Sequence, residues 1–290
     1  MKYIYVLLCT TLLFSCDRFG NKDKKESETA RIVVISKQYN EIIWDLGAQQ
    51  SVVAVDISST YPEEVKKLPT VGYHRALSAE GILSMKPTLI LHDNNIAPEH
   101  VVKQLEELKI PMKTFENKAN DIEGTRNLIK EIGAYFNKEQ KAQALCDSLD
   151  ADMASALEAA KQYADTPRVM VIHFGQATNA YLLVSGKSIA GKMVEWAGGK
   201  MAINDDKGMK KLSAEVVAAS DPDVILVTDE GMSRLGSVEK VKELPGVGGT
   251  KAAMDNRIFT VDRHDIIYLG PGSGKSVLKI EQLIHKGEKK

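Results

Sequence analysis

Leu77-Ser78-Ala79-Glu80 leads through six residues to Pro87-Thr88-Leu89-Ile90-Leu91, and 135 residues later Leu212-Ser213-Ala214-Glu215 leads through six more to Pro222-Asp223-Val224-Ile225-Leu226. In each copy a Ser takes the N-cap place of a short helix, a Pro marks its end, and an apolar run follows as a buried strand. A phrase repeated half a chain apart predicts two similar lobes, and a cleft between lobes is the default place for a ligand. What stands before the two copies differs: Gly72-Tyr73-His74-Arg75 precedes the first and Gly208-Met209-Lys210-Lys211 the second. The scaffold is doubled; the chemistry is not.

Working outward, strands alternate with helices over short loops. In the first half Arg31 to Ser36 and Val52 to Val55 read as strands and Gln38 to Leu46 and Asp121 to Phe136 as helices. In the second half Arg168 to His173, Tyr181 to Val184 and Ile258 to Val261 read as strands, and Gly274 to His285 as the closing helix. That order predicts an α/β fold of two Rossmann-like lobes with mostly parallel sheets. Between the halves, Lys138 to Tyr163 contains no Gly or Pro, and Leu145, Leu149, Met153 and Leu157 recur every fourth residue. The expected element is one helix of about 40 Å with one buried stripe. The expected divisions are an N-terminal lobe at 31–136, a linking helix at 137–165 and a C-terminal lobe at 166–290. Lobes joined by one long helix should adjust around a ligand rather than swing.

The chain of 290 residues carries 38 basic and 39 acidic side chains, so nothing in its balance supplies the basic face that a nucleic-acid partner requires. Lys2 precedes an apolar run from Ile4 to Phe14, too short to span a bilayer and suited to a signal-peptide core. It ends in Leu13-Phe14-Ser15-Cys16, which resembles a lipobox. Residues 1–16 are therefore expected to be a lipoprotein signal ending at a lipidated Cys16, the alternative being an ordinary secretory signal with an incidental Cys. Residues 17–30, polar and charged, read as a flexible tether. Cys146 is then the sole thiol of the body; its helical spacing with Leu149 and Met153 marks it as a packed core residue, and no internal disulfide is expected.

The string from Leu68 to Gly81, with Gly72-Tyr73-His74-Arg75-Ala76-Leu77-Ser78-Ala79-Glu80-Gly81 at its heart, resembles the haem-binding lipoproteins of bacterial ABC importers. These belong to the long-helix class of periplasmic binding proteins, class III, which also carries ferric siderophores and cobalamin. Ala197-Gly198-Gly199, Leu212 to Glu215, Pro222 to Leu226 and Leu244 to Val247 extend the resemblance over most of the chain. It implies a protein that is not an enzyme, captures ferric haem as transported cargo between its lobes, and delivers it to a permease dimer with its ATPase. It also implies a periplasmic place, tethered to the membrane through Cys16. The alternative cargo on the same scaffold is a ferric siderophore or cobalamin.

In that family the Tyr matching Tyr73 ligates the iron and the Arg matching Arg75 supports it. The chemistry is coherent on its own terms. A phenolate is a hard anionic donor and an established haem ligand, while a free phenol ionises only near pH 10, so a neighbouring guanidinium helps. Read as an extended segment, Tyr73 and Arg75 share a face and His74 takes the other. The plainer alternative is a surface Tyr and Arg in a loop.

His173, expected at a strand's carboxyl end, is the candidate iron ligand from the second lobe, or else a hydrogen-bonded structural residue. Arg234, read in a loop after the strand from Val224 to Val227, could pair with a haem propionate or be merely solvated. His264 and Tyr268 are weaker candidates at the same end. In the wider class paired acidic residues dock on permease Arg side chains, which implies that role for Glu80 and Glu215; helix-dipole and capping interactions account for them equally. Gly270-Pro271-Gly272-Ser273-Gly274-Lys275-Ser276 imitates a phosphate loop, but Leu269 stands where the pattern needs its first Gly. No acid, base and nucleophile constellation is visible.

Overall fold

The computed structural model of the protein describes residues 30–287 apart from 177, 206 and 207. The expected signal at 1–16, its Cys16 and all but the last residue of the tether at 17–30 lie outside the described residues. Among the described residues no helix is long and apolar enough to cross a membrane.

The first lobe runs β1 (Ile32–Ile35), α1 (Lys37–Asp45), β2 (Val52–Val55), the short β3 (Gly72–Tyr73) and β4 (Ala76–Leu77), α2 (Ala79–Ser84), β5 (Leu89–His92), α3 (Glu99–Glu107), β6 (Met112–Lys113) and α4 (Ile122–Tyr135). After α5 (Glu139–Ala160) come β7 (Arg168–Gly175), β8 (Ala180–Val184), α6 (Ile189–Trp196), β9 (Lys200–Met201), β10 (Met209–Lys211) and α7 (Ala214–Ser220). The chain closes with β11 (Val224–Thr228), α8 (Asp229–Leu235), α9 (Val238–Lys242), α10 (Lys251–Met254), β12 (Ile258–Val261), α11 (Arg263–Ile267) and α12 (Ser273–Ile284). The first sheet is parallel throughout, in the order β2-β1-β5-β6. The second is mixed, in the order β10-β8-β7-β11-β12 with β9 beside β7, because β8 runs antiparallel to both of its neighbours.

The repeated phrase folds the same way twice. Ser78 Oγ accepts from Gly81 N at 3.0 Å and Ser213 Oγ from Val216 N at 3.4 Å, so a hydroxyl satisfies an otherwise orphaned donor at the start of each helix. Each copy then turns through a left-handed residue immediately before its Pro, Lys86 at φ 49° and Asp221 at φ 33°. The strand that follows lies parallel to the first strand of its own lobe: Ile90 opposes Val33 in one sheet and Ile225 opposes Met170 in the other. Apolar runs this continuous suit strands covered on both faces.

α5 has 22 residues and a length of about 33 Å, shorter than its sequence suggested. Its buried stripe is Ala142, Cys146, Leu149, Met153 and Ala156. Leu157, expected in that stripe, is 41 % exposed, because spacings of four and three alternate along the buried face and a strict spacing of four drifts off it. One apolar cluster runs from Ile42 and Ile132 in the first lobe through Leu149 and Met153 of α5 to Val194 and Ile280 in the second. The lobes therefore share a core through the linking helix. Cys146 is buried in it and burial raises its thiol pKa, as suits an inert core residue.

The loop that imitates a phosphate site holds a protein carboxylate. Glu41 of α1, buried in the first lobe, accepts from Gly272 N at 3.3 Å and lies 3.0 Å from His264 Nε2. A Cβ on Gly270 would meet Glu41 Oε2 at 1.8 Å. Gly270→Ala is therefore expected to displace Glu41 from both partners and to cost about 1–3 kcal/mol. Chemical denaturation measures it; an unchanged midpoint and slope would contradict this packing.

Candidate functional site

The carboxyl ends of β1, β2 and β5 in one lobe and of β7 and β12 in the other open onto one cleft of about 320 Å³. That is the edge where α/β sheets present ligand-binding groups, and the volume falls within the usual small-molecule range of about 300–1,000 Å³. Ser36 and Lys37 begin α1 at this edge, and Asp56, Ser58, Tyr73, His74, Arg75, Asp93 and Asn95 complete the first lobe's wall. The second lobe contributes His173, Gln176, Leu182, Met209, Arg263 and Tyr268.

Tyr73 reaches the cleft on a hairpin, not on an extended strand. The segment 69–72 runs alongside β2 and beyond it, with Val71 N donating to Val55 O at 2.9 Å and Ile57 N to Gly72 O at 2.9 Å. Gly72 then adopts φ 98°, a conformation that side chains with a Cβ rarely take, and the chain turns. Tyr73 pairs with Ala76, which leaves His74 and Arg75 as the two residues of the turn. The expected alternation is thereby corrected: Tyr73 and Arg75 share the cleft because the chain folds back, and His74, expected on the opposite face, lines it too. The turn is moored from outside, as Ala97 N donates to His74 O at 2.8 Å and Leu77 N to Ala97 O at 3.0 Å.

The Tyr73 side chain is half-buried, and its hydroxyl makes no hydrogen bond with a described residue. Arg75 does not reach it; its Nε and Nη2 donate to Asn95 Oδ1 at 3.2 and 2.9 Å. Behind the turn, His74 Nδ1 lies 3.2 Å from Asp56 Oδ2 and 3.1 Å from Ser58 Oγ. Burial works to raise the Asp56 carboxyl pKa, but hydrogen bonds from His74, Ser58 and Ser59, with the charge of Lys37, outweigh it and hold the group below the usual carboxylate range.

His173 lies inside β7, which continues to Gly175 where the sequence suggested an end at His173. Its Nδ1 is 3.3 Å from Thr228 Oγ1. Burial, reinforced by the Arg263 charge against the opposing Glu230, lowers its pKa to about 4, so the ring is neutral at pH 7 and able to bind a metal. The unfolded chain, with an ordinary value near 6.5, holds the extra proton between these limits. Stability is therefore expected to fall as pH drops from about 6.5 towards about 4. Denaturation curves at about pH 7 and pH 5 should show a smaller difference in His173→Gln than in the unaltered chain; an equal difference would refute this.

Arg234 is not at the cleft. Flanking glycines suggested a loop, but the residue lies in α8 with its guanidinium 4.0 Å from the centroid of the Phe174 ring. Arg263 occupies the cleft instead. It donates to Glu230 Oε2 at 2.9 Å and crosses to the first lobe, to Ser58 O and Thr60 Oγ1 at 3.3 Å each. Lys37, also missed, donates to the Tyr268 hydroxyl at 2.5 Å across the same gap. His264 is engaged with Glu41 and stacks on Tyr61, ring centroids 4.0 Å apart, rather than lining the cleft. Glu80 and Glu215 lie exposed in the first turns of α2 and α7.

The cleft thus brings the Tyr73 phenol and the neutral His173 imidazole into one space from opposite lobes, beside His74, Asp56, Asp93 and Tyr268, with Lys37, Arg75 and Arg263 as its cationic side chains. A profile of the periplasmic binding protein family matches residues 32–264. The periplasmic heme-binding protein RhuT from Roseiflexus sp. RS-1, solved in apo form, superposes with a TM-score of 0.81 at 31 % identity over 89 % of this chain and 98 % of that one. YvrC of Bacillus subtilis (strain 168), an ABC transporter substrate-binding lipoprotein, is 27 % identical over 93 % of this chain and 84 % of its own. A vitamin B12-binding protein of Vibrio campbellii (strain ATCC BAA-1116) is 23 % identical over 82 % of this chain and 83 % of its own.

Proposed function

We propose, from the premise that this chain belongs to the periplasmic binding protein family, that it is the substrate-binding component of an ABC importer and that its cargo is haem. The observation that carries the cargo is Tyr73, a phenol at the cleft with no hydrogen bond to a described residue, lining the same space as His173 of the other lobe. Tyr73 would give ferric iron an anionic oxygen, and His173 a neutral nitrogen. Lys37, Arg75 and Arg263 suit the two carboxylates of the porphyrin. Binding without turnover is the whole of the activity in this reading. The lobes at 31–136 and 166–290 would close on the cargo by small adjustments, joined by the helix within 137–165.

A hemin titration tests the assignment. One Soret transition that saturates with protein and is not competed by cobalamin or a ferric siderophore is expected. Tight binding of either competitor without a hemin spectrum would instead assign the scaffold to that cargo.

The membrane side of the reading is a periplasmic place in the cell envelope, a lipid anchor at Cys16, and a permease dimer with its ATPase as partners. Glu80 and Glu215 are the proposed docking residues, supported by their matched places in the two copies of the repeat and by their exposure. Charge reversal at both, to Lys, is expected to abolish haem uptake in a reconstituted importer while leaving hemin affinity unchanged. Loss of affinity in the purified variant would refute a docking role.

A further inference from the structure

The strands that carry Tyr73 are two residues each, and a ribbon so short has little stiffness of its own. Directly behind its turn lies a carboxylate with no solvent exposure. Asp56 accepts from Ser58 N at 3.2 Å, from the hydroxyls of Ser58 and Ser59, and from His74 Nδ1 at 3.2 Å. Asn40 Nδ2 in turn donates to Ser59 Oγ at 2.9 Å, which ties this group to α1. Since the Ser58 hydroxyl spends its proton on Asp56, it can only accept from His74, and two acceptors fix the imidazole hydrogen on Nδ1. The imidazole then touches the phenol, with ring centroids 4.4 Å apart and planes at 57°. A buried anion is a costly way to close a turn, because a well-packed apolar residue is often as stable.

We infer that Asp56 and His74 are positioning residues for Tyr73: the carboxylate grips the turn through Nδ1 of His74, and the gripped turn sets the direction in which the phenol oxygen enters the cleft. The inference rests on the haem reading and deepens it. Groups that orient a metal-binding side chain typically contribute 10–100-fold to affinity, so a loss of that order is expected when either is removed.

Hemin titrations of the unaltered chain, Asp56→Asn, His74→Leu and His74→Asn, each also in a Tyr73→Phe background, form the test, with circular dichroism as the check on folding. Asp56→Asn and His74→Leu are expected to weaken hemin binding by about 10–100-fold and to shift the charge-transfer band of the phenolate complex. His74→Asn, whose side-chain amide can donate from nearly the same place as Nδ1, should restore the band and most of the affinity. In the Tyr73→Phe background the same substitutions should cost nothing further, since what they position is gone. Equal losses in both backgrounds would reduce the network to a structural one and overturn the inference, as would full affinity in Asp56→Asn and His74→Leu. Should these two fail to fold, His74→Gln, whose amide can still donate but from a position one bond further out, takes their place: weaker binding and a shifted band are expected in the unaltered chain and no further loss in Tyr73→Phe, and full affinity with an unshifted band, or an equal loss in both backgrounds, overturns it. Failure of the haem reading looks different: the unaltered chain does not bind hemin, or Tyr73→Phe binds it as tightly.

Discussion

Tyr73→Phe is expected to abolish the phenolate charge-transfer band of the hemin complex and to weaken binding by about 100-fold or more, close to 3 kcal/mol. Removing groups that merely orient a metal ligand already costs up to about that much, and this substitution removes the donor atom itself. The change is otherwise mild. The ring remains, the hydroxyl surrenders no hydrogen bond to a described residue, and Tyr73 is only half-buried, so melting temperature should hardly move. That asymmetry, a large loss of binding with intact folding, is what separates an iron ligand from a structural tyrosine. Affinity within about threefold of the unaltered chain, too small a change in binding free energy for the loss of a coordinate bond, would sink the assignment.

Leu149→Ala is expected to destabilise the protein by about 2–5 kcal/mol. Leu149 is fully buried at the middle of α5, in the apolar cluster of described residues that both lobes share. Because the cavity lies between lobes, unfolding should remain a single transition at a lower midpoint, read by both near-ultraviolet and far-ultraviolet circular dichroism. Two separated transitions would mean that the lobes fold independently. Leu157→Ala, on the exposed side of the same helix, serves as the control and should change stability little.

The architecture was legible because its signals are periodic or repeated. The duplicated phrase located α2 with β5 and α7 with β11, down to the Ser caps, and β2 and β12 fell where their apolar runs placed them. The hairpin of β3 and β4 was not legible, since strands of two residues carry no period. Taking that stretch as extended put His74 on the wrong face and joined Arg75 to Tyr73, where the folded chain joins it to Asn95. Lys37, Asp56 and Arg263 were missed for another reason: each is a lone polar residue whose role arises only when distant carboxyl ends of strands meet. Asp56 alone left a trace, an Asp followed at two and three residues by Ser at the end of a strand, the pattern of a side chain that caps its own turn. Arg234 was drawn to the site by Gly231 and Gly236, yet only Gly236 ends anything, as the left-handed cap of α8.

The apolar mass that passes unbroken through α5 bears on how an importer could tell a laden carrier from an idle one. If the lobes close only by the small adjustments proposed above, the silhouette offered to the membrane complex would be nearly the same in both conditions. Discrimination would then come from whatever protrudes at the mouth: the rim of the pigment, its acid groups, and the few side chains they rearrange. Idle carriers would compete with laden ones for the same berth, so uptake should slow when the carrier greatly outnumbers its cargo.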